Sequence, residues 1–221
     1  ERDAAVGRLD RSNLRRHVRR LLPGRHDGRR QGDERIARRD DHLDLGPSQG
    51  EDAADAGTAI VILSDRAASP ERVAIPALLI TGAVHHHLNR VRKRLSSSLV
   101  VDTAEARDTH QIACLFGFGA TAVCPYLGYA TVRQVIATDT KGKLGDDMTP
   151  EVGMKNYRKA LEKGILKIMS KMGISVLNSY QSAQIFEAIG IGNDVIDTCF
   201  TGTKSRIAGV GFAEIAAESI I

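Results

Sequence analysis

The sequence contains no tryptophan, only three cysteines, and no aromatic residue before Phe116. All five Phe and all four Tyr fall between Phe116 and Phe212, so the first half has little with which to build a large aromatic core. Cys114, Cys124 and Cys199 are odd in number, far apart and form no C-x-x-C. That spacing indicates neither a disulfide framework nor a zinc ribbon, and a reducing, cytoplasmic setting is expected. No apolar run approaches the roughly 20 residues that span a bilayer. The charged N-terminus lacks the apolar stretch of a secretory signal. Lysine is missing from residues 1–56, where thirteen arginines stand instead.

What is present describes a globular chain with one discordant end. At 221 residues, 42% hydrophobic and 26% charged, it suits one domain with a sizeable core plus an arm. Residues 1–56 carry many charges and few apolar side chains, too few to offset the entropy of ordering. Three readings of this segment stand side by side. It is a disordered solvated arm, or a nucleic-acid-binding arm placing pairs such as Arg15–Arg16 and Arg19–Arg20 on phosphates, or an out-of-frame translation. Arginine without lysine is what GC-rich DNA tends to give in a wrong frame. Interspersed acids and absent aromatics count against the second reading.

The pattern changes near Gly57. Ala59 to Leu63 is continuously apolar and reads as a buried parallel strand. Ser64, Asp65 and Arg66 follow at its carboxyl end, where α/β proteins place functional groups; an Asp65–Arg66 ion pair in a turn is the plain alternative. Pro76 suits a first helical position, with Leu78, Leu79, Ala83, Val84, Leu88 and Val91 as an apolar stripe. His85, His86 and His87 point about 100° apart, so they cannot share a metal, and at most one faces the core as a satisfied structural histidine. Ser98 to Val101 predicts a second strand. Asp102 or Thr103 is expected to cap a helix through Phe116, ended by Gly117 and Gly119. Ala120 to Cys124 predicts a third strand and Leu127 to Ala137 a helix. Thr149, Pro150 and Glu151 form a strong helix start. That helix reaches Met172, with Val152, Tyr157, Ala160, Leu161, Ile165, Ile168 and Met172 on its apolar side. Lys159, Lys163, Lys167 and Lys171 form a solvated face.

Lys171 to Gly190 organises the rest. Gly173 suits the left-handed position past a helix end, Ile174 to Leu177 reads as a short buried strand, and Ser179 as the cap of a helix presenting Ala183, Ile185, Phe186 and Ile189. The unit is helix–strand–helix. Asp194 to Phe200 reads as a strand. Thr201 to Ser205 lacks the glycine spacing of a P-loop, although an anion near Gly209 and Gly211, ahead of a helix, is physically reasonable. The chain stops at Ile221 inside an apolar helical pattern, as a fragment would. The fold class is α/β, with alternating strands and helices and a mostly parallel sheet, layered or partial-barrel-like and incomplete.

Read as letters, KMGISVLNSYQSAQIFEAIG (Lys171 to Gly190) and FTGTKSRIAG (Phe200 to Gly209) resemble the central domain of the large subunit of glutamate synthase. VILSDR (Val61 to Arg66), AVHHHL (Ala83 to Leu88), EARDTHQIACLFGFGATAV (Glu105 to Val123) and PYL (Pro125 to Leu127) match the same family in the same order. The resemblance covers roughly residues 59–221 and implies that residues 57–221 are the C-terminal part of that domain. Family members have ordered α/β sequence where residues 1–56 stand, which favours the out-of-frame reading.

For a whole enzyme, the resemblance implies formation of two glutamates from glutamine, 2-oxoglutarate and a reductant, with FMN and an iron–sulfur cluster. It implies amidotransferase and FMN-binding domains as partners, and a small electron-donating subunit in some cases. The glutaminase Cys and the FMN and cluster motifs do not fall in this segment. No catalytic, cofactor-binding or metal-ligating residue is therefore carried over; a structural, ammonia-path role, inactive alone, is expected, and the electron donor is not readable. Gln111, Cys124, Val176 and Ser182 stand where members often carry His, Asn, Thr and Gly. Two readings of other classes are a nucleic-acid-binding protein acting through the arm and a small α/β enzyme using Asp65, Arg66, His110 and Lys204. A Ser64–Asp65–His110 triad has no nucleophile elbow behind it.

Overall fold

The computed structural model describes residues 36–37, 52, 54–55, 57–69, 73–140, 142–145 and 147–219. Most of the Arg-rich segment, and with it all three readings of that segment, lies outside the described residues. Four strands, β1 (Ile36–Ala37), β2 (Ile60–Ser64), β3 (Ser98–Thr103) and β4 (Ala122–Pro125), form one parallel sheet in the order β1-β2-β3-β4. Helix α1 (Ala77–Arg90) connects β2 to β3, and α2 (Thr109–Gly117) connects β3 to β4. Then come α3 (Tyr126–Ala137), α4 (Pro150–Lys171) and the single turn α5 (Leu177–Tyr180). Strands β5 (Glu187–Ile191) and β6 (Lys204–Val210) make a second, two-stranded parallel sheet around α6 (Asn193–Cys199), and α7 (Phe212–Glu218) follows. Both sheets are open, and no closed barrel forms among the described residues.

The strand order never reverses, unlike that of a doubly wound sheet. With right-handed crossovers such a sheet collects its helices on one face, and burial agrees. Val61 and Leu63 of β2 and Leu99, Val101 and Thr103 of β3 are buried, while the residues between them are half-buried. The apolar run in β2 thus alternates in burial, contrary to the expectation of a strand covered on both faces. Against the covered face pack Ile80, Val84 and Leu88 of α1, Ile112 and Leu115 of α2, and Leu161, Ile165 and Met169 of α4. Helix α1 has a second apolar side: Ala83 packs with Val195, Ile196, Cys199 and Phe200, tying the second sheet to the first.

Helix α4 starts as its sequence predicts, with Thr149 Oγ1 accepting from the Val152 amide and Pro150 in the first turn. Its buried positions are Gly153, Leu161, Ile165 and Met169, whereas Val152 and Met172 are exposed. Gly173 closes it at φ +67.

The unit that follows corrects the helix–strand–helix expectation. Ile174–Leu177 is not a strand: one helical turn sets Leu177 and Tyr180, three apart, on the same side toward the main core, and leaves Val176 exposed. Ser179 caps nothing. Beyond it the backbone is fastened to the end of α2, with the Ser182 amide donating to Gly117 O and Gln181 Nε2 to Ala120 O. Ser182 and Gln184 adopt φ +59 and +53, which no helix tolerates. Ile189 and Gly190 then belong to β5. Asp194–Phe200 is mostly helix rather than strand, because Val195, Ile196 and Cys199 are buried at helical spacing against α1. β-branched content misled a reading based on composition.

Val176 is the N-cap of α5 and offers no side-chain bond to it, so Val176→Thr should add about 0.5 kcal/mol of stability, read as a higher urea midpoint at unchanged slope. Tyr180 is fully buried and its hydroxyl has no partner among the described residues. Removing an unsatisfied hydroxyl relieves its desolvation cost, so Tyr180→Phe should be neutral or stabilising by about 1 kcal/mol; a loss of stability in the same unfolding assay would show that the hydroxyl is satisfied.

Candidate functional site

Register builds the site. Ser64 pairs with Asp102 across β2–β3, and Asp102 with Cys124 across β3–β4, so three polar side chains form one row. They share a sheet face because they occupy matched positions on parallel strands. The row lies at the carboxyl ends of the strands. Ser64 Oγ donates to Asp102 Oδ2 at 3.0 Å. Arg66, just past β2, grips the same carboxylate with two donors, Nε to Oδ2 at 2.6 Å and Nη2 to Oδ1 at 3.1 Å. Its guanidinium lies 3.9 Å from the ring centre of Tyr126, which opens α3. The expected Asp65–Arg66 pair therefore does not form. Asp65 instead accepts from Thr103 Oγ1 at 2.6 Å and from the Ala104 amide at 2.9 Å, pinning the loop after β3.

That loop also corrects the expected helix start. Asp102 and Thr103 belong to β3, and the cap of α2 is Asp108, which accepts from the Gln111 amide while the Gln111 side chain accepts from the Asp108 amide. Gln111, one of the departures from the family pattern, is thus the reciprocal half of a capping box. Glu105 reaches back to accept from the Ala77 amide at 2.9 Å, at the start of α1.

The electrostatics make this network a clamp. Burial pushes the Asp102 carboxyl up, but hydrogen bonds from Arg66, Ser64 and Cys124 outweigh it and hold the carboxyl below its ordinary range. Burial, then hydrogen bonding to Asp65, pushes Tyr126 up to about 12. Burial and Asp102 raise the Cys124 thiol, and burial raises Cys114 to about 11 and Cys199 to about 12. These thiols stay protonated at neutral pH, the opposite of an activated nucleophile. The three cysteines sit on α2, β4 and α6, and no group of three or more metal-ligating side chains is gathered among the described residues. This donor set does not fit an iron–sulfur cluster, whose irons need converging thiolates. The anion expected near Gly209 and Gly211 also fails: the Glu214 carboxylate already accepts from the Gly211 amide at 2.8 Å, and Asp194 crowds the same turn. A flavin phosphate placed there would face two carboxylates.

Of the four residues proposed for a small enzyme, only Asp65 and Arg66 meet at this edge. His110 lies on α2 against Cys114 and Phe186, and Lys204 starts β6.

The histidine triplet resolves as expected for its central claim. Only His85 is buried, as a structural histidine. Arg94 Nε donates to its Nδ1 at 2.9 Å, so the neutral ring carries its proton on Nε2, which faces Ser182 Oγ at 2.6 Å and the Asn89 side-chain amide at 3.0 Å. Arg94 also donates to Ser97 O and Gly119 O, both at 2.7 Å. Desolvation, then Arg94, pushes His85 down to about 3. Ser182 thus holds a glycine-like backbone conformation while bonding a buried ring. Nothing in the order of residues signals this cluster beyond the unusual letter at 182.

Sequence comparison gives the family. The description "glutamate synthase central domain" matches residues 40–192. The chain belongs to that family. This central domain is 48% identical to ferredoxin-dependent glutamate synthase 1, chloroplastic/mitochondrial, of Arabidopsis thaliana, over 77% of the chain and 11% of the relative. It is 46% identical to ferredoxin-dependent glutamate synthase 2 of Synechocystis, over 75% of the chain and 11% of the relative. Against glutamate synthase [NADH] of Schizosaccharomyces pombe it is 43% identical, over 78% of the chain and 8% of the relative. The domain spans about a tenth of the length of these relatives. Among solved structures, a mutant flavocytochrome b2 with benzoylformate superposes with TM-score 0.49 at 13% identity, covering 62% of this chain and 31% of that one. No helix among the described residues is long and apolar enough to cross a membrane.

Proposed function

We propose that this domain is the central segment of a glutamate synthase, an enzyme that forms two glutamates from glutamine, 2-oxoglutarate and a reductant. The observation that carries the reading is the family match over residues 40–192. The site is consistent with a structural role. Asp102 is held charged under Arg66, and Tyr126 and the cysteines are held protonated, so these groups form no acid–base pair poised near neutrality among the described residues. In this reading the domain shapes the ammonia path, while FMN and the iron–sulfur cluster belong to neighbouring domains, which are its partners together with an electron-donating protein or subunit. The relatives' names include both ferredoxin and NADH, so the donor is assigned by assay. The compartment is proposed as cytoplasmic.

The test is to express the longer protein that contains this domain, and the 221-residue chain separately. Glutamate formation is followed with ferredoxin, NADH and NADPH in turn, and flavin by absorbance. The longer protein should bind flavin and make glutamate with one donor; the chain alone should do neither. Glutaminase or synthase turnover by the chain alone would overturn the reading.

A further inference from the structure

Beside the clamp lies an open cleft of about 690 Å³ between α3 and α4, with Arg66 and Cys124 in its lining. Each wall is one helical face. Tyr126, Tyr129 and Arg133 line it from α3, and Met154, Lys155 and Arg158 from α4, at the three- and four-residue spacings that stack side chains along a helix. Four cations, Arg66, Arg133, Lys155 and Arg158, face one acid in the lining, Glu151. Arg133 and Lys155 have no carboxylate partner among the described residues, and Arg158 shares an exposed contact of 3.4 Å with Glu162. Arg66 is different in kind. Asp102 and the Tyr126 ring fix its plane through Nε and Nη2.

We propose that this cleft binds a small organic anion carrying two or more negative charges. Excess positive charge in a concave site raises the local concentration of anions, and a guanidinium already fixed loses little freedom on binding. The phenol ring of Tyr129 and the thioether of Met154 give the walls apolar surface for a carbon skeleton. The volume is in the range of small-molecule pockets. Phosphates and carboxylates share the required chemistry. The inference rests on cleft geometry and is independent of the synthase reading.

The experiment is isothermal titration of the 221-residue chain at low ionic strength with adenosine triphosphate, pyrophosphate and citrate. Saturable binding of at least one probe is expected. Binding by the two phosphate compounds alone assigns phosphate, and binding by citrate alone assigns carboxylates. The double variant R133Q/K155Q should weaken binding at least about tenfold, since two charge-assisted contacts are lost. K163Q/K167Q, which removes the same charge from α4 outside the cleft, should change it less than about twofold. All four side chains are exposed, so melting curves should be unchanged. No saturation up to about 10 mM of any probe, a Kd range too weak for a formed site, would overturn the proposal. So would equal losses in the two double variants, which would mean unspecific attraction.

Discussion

Acidifying the protein from pH 7 to pH 4 is expected to remove about 3 kcal/mol of stability, mainly through His85. The ring is buried, and its pKa falls from 6.5 to about 3 because charging it would strand a cation in the core beside Arg94. In the unfolded chain His85 titrates near its ordinary value. Below about pH 6.5 the unfolded state therefore binds a proton that the folded state refuses, and each further pH unit costs about 1.36 kcal/mol until the folded pKa is reached. His86, also lowered by burial and by Arg90, adds in the same direction. Asp102 acts later: its depressed pKa keeps its contribution intact until pH falls below the ordinary carboxylate range. Urea midpoints by circular dichroism across this range measure the slope. His85→Asn keeps an acceptor near Arg94 but cannot take up a proton. It should be less stable at pH 7 and much flatter with pH. An undiminished slope in that variant would assign the acid sensitivity to other groups.

Gly82→Ala is expected to loosen the second sheet from the first. Gly82 lies on the α1 face that meets α6, where an added Cβ would overlap the carbonyl of Cys199 and come within 3.0 Å of two ring carbons of Phe200. The alanine gains up to about 1 kcal/mol of helix propensity. Against that, the nearest obstacle is backbone at the end of α6 and cannot rotate away, so the helix must shift, with an overpacking cost of about 3 kcal/mol or more. The net loss is about 2 kcal/mol. Ala83, Val195, Ile196, Cys199 and Phe200 form the separate apolar cluster at this contact, so the damage should be local. Hydrogen exchange should show reduced protection over β5, α6 and β6 while β2 and β3 keep theirs. An equal loss in both sheets would mean that the two clusters unfold as one.

Much of the chain was legible where local signals and tertiary packing agree. Thr149–Pro150–Glu151 names its own helix start, Gly173 its stop, and β2, β3 and β4 lie within a residue or two of their expected places. The family was legible for a different reason: blocks of letters in order survive without any reading of their conformation. Asp194–Phe200 and Ile174–Leu177 were misread because short β-branched runs do not declare their period. Whether such a run is helix or strand depends on what it lies against, α1 in one case and the main core in the other.

By itself, then, the sequence determined the family, the alternating architecture of the first sheet, and the absence of a cluster-binding cysteine run. Only the tertiary structure decided the partnerships. Arg66 chose Asp102, 36 residues away, over its neighbour Asp65 because parallel register brings that carboxylate to the strand end. Ser182 tolerates φ +59 because its hydroxyl meets a histidine 97 residues earlier. The cationic cleft exists because α3 and α4 pack side by side. Local propensity acts over a few residues, whereas these pairings are set by how distant elements meet.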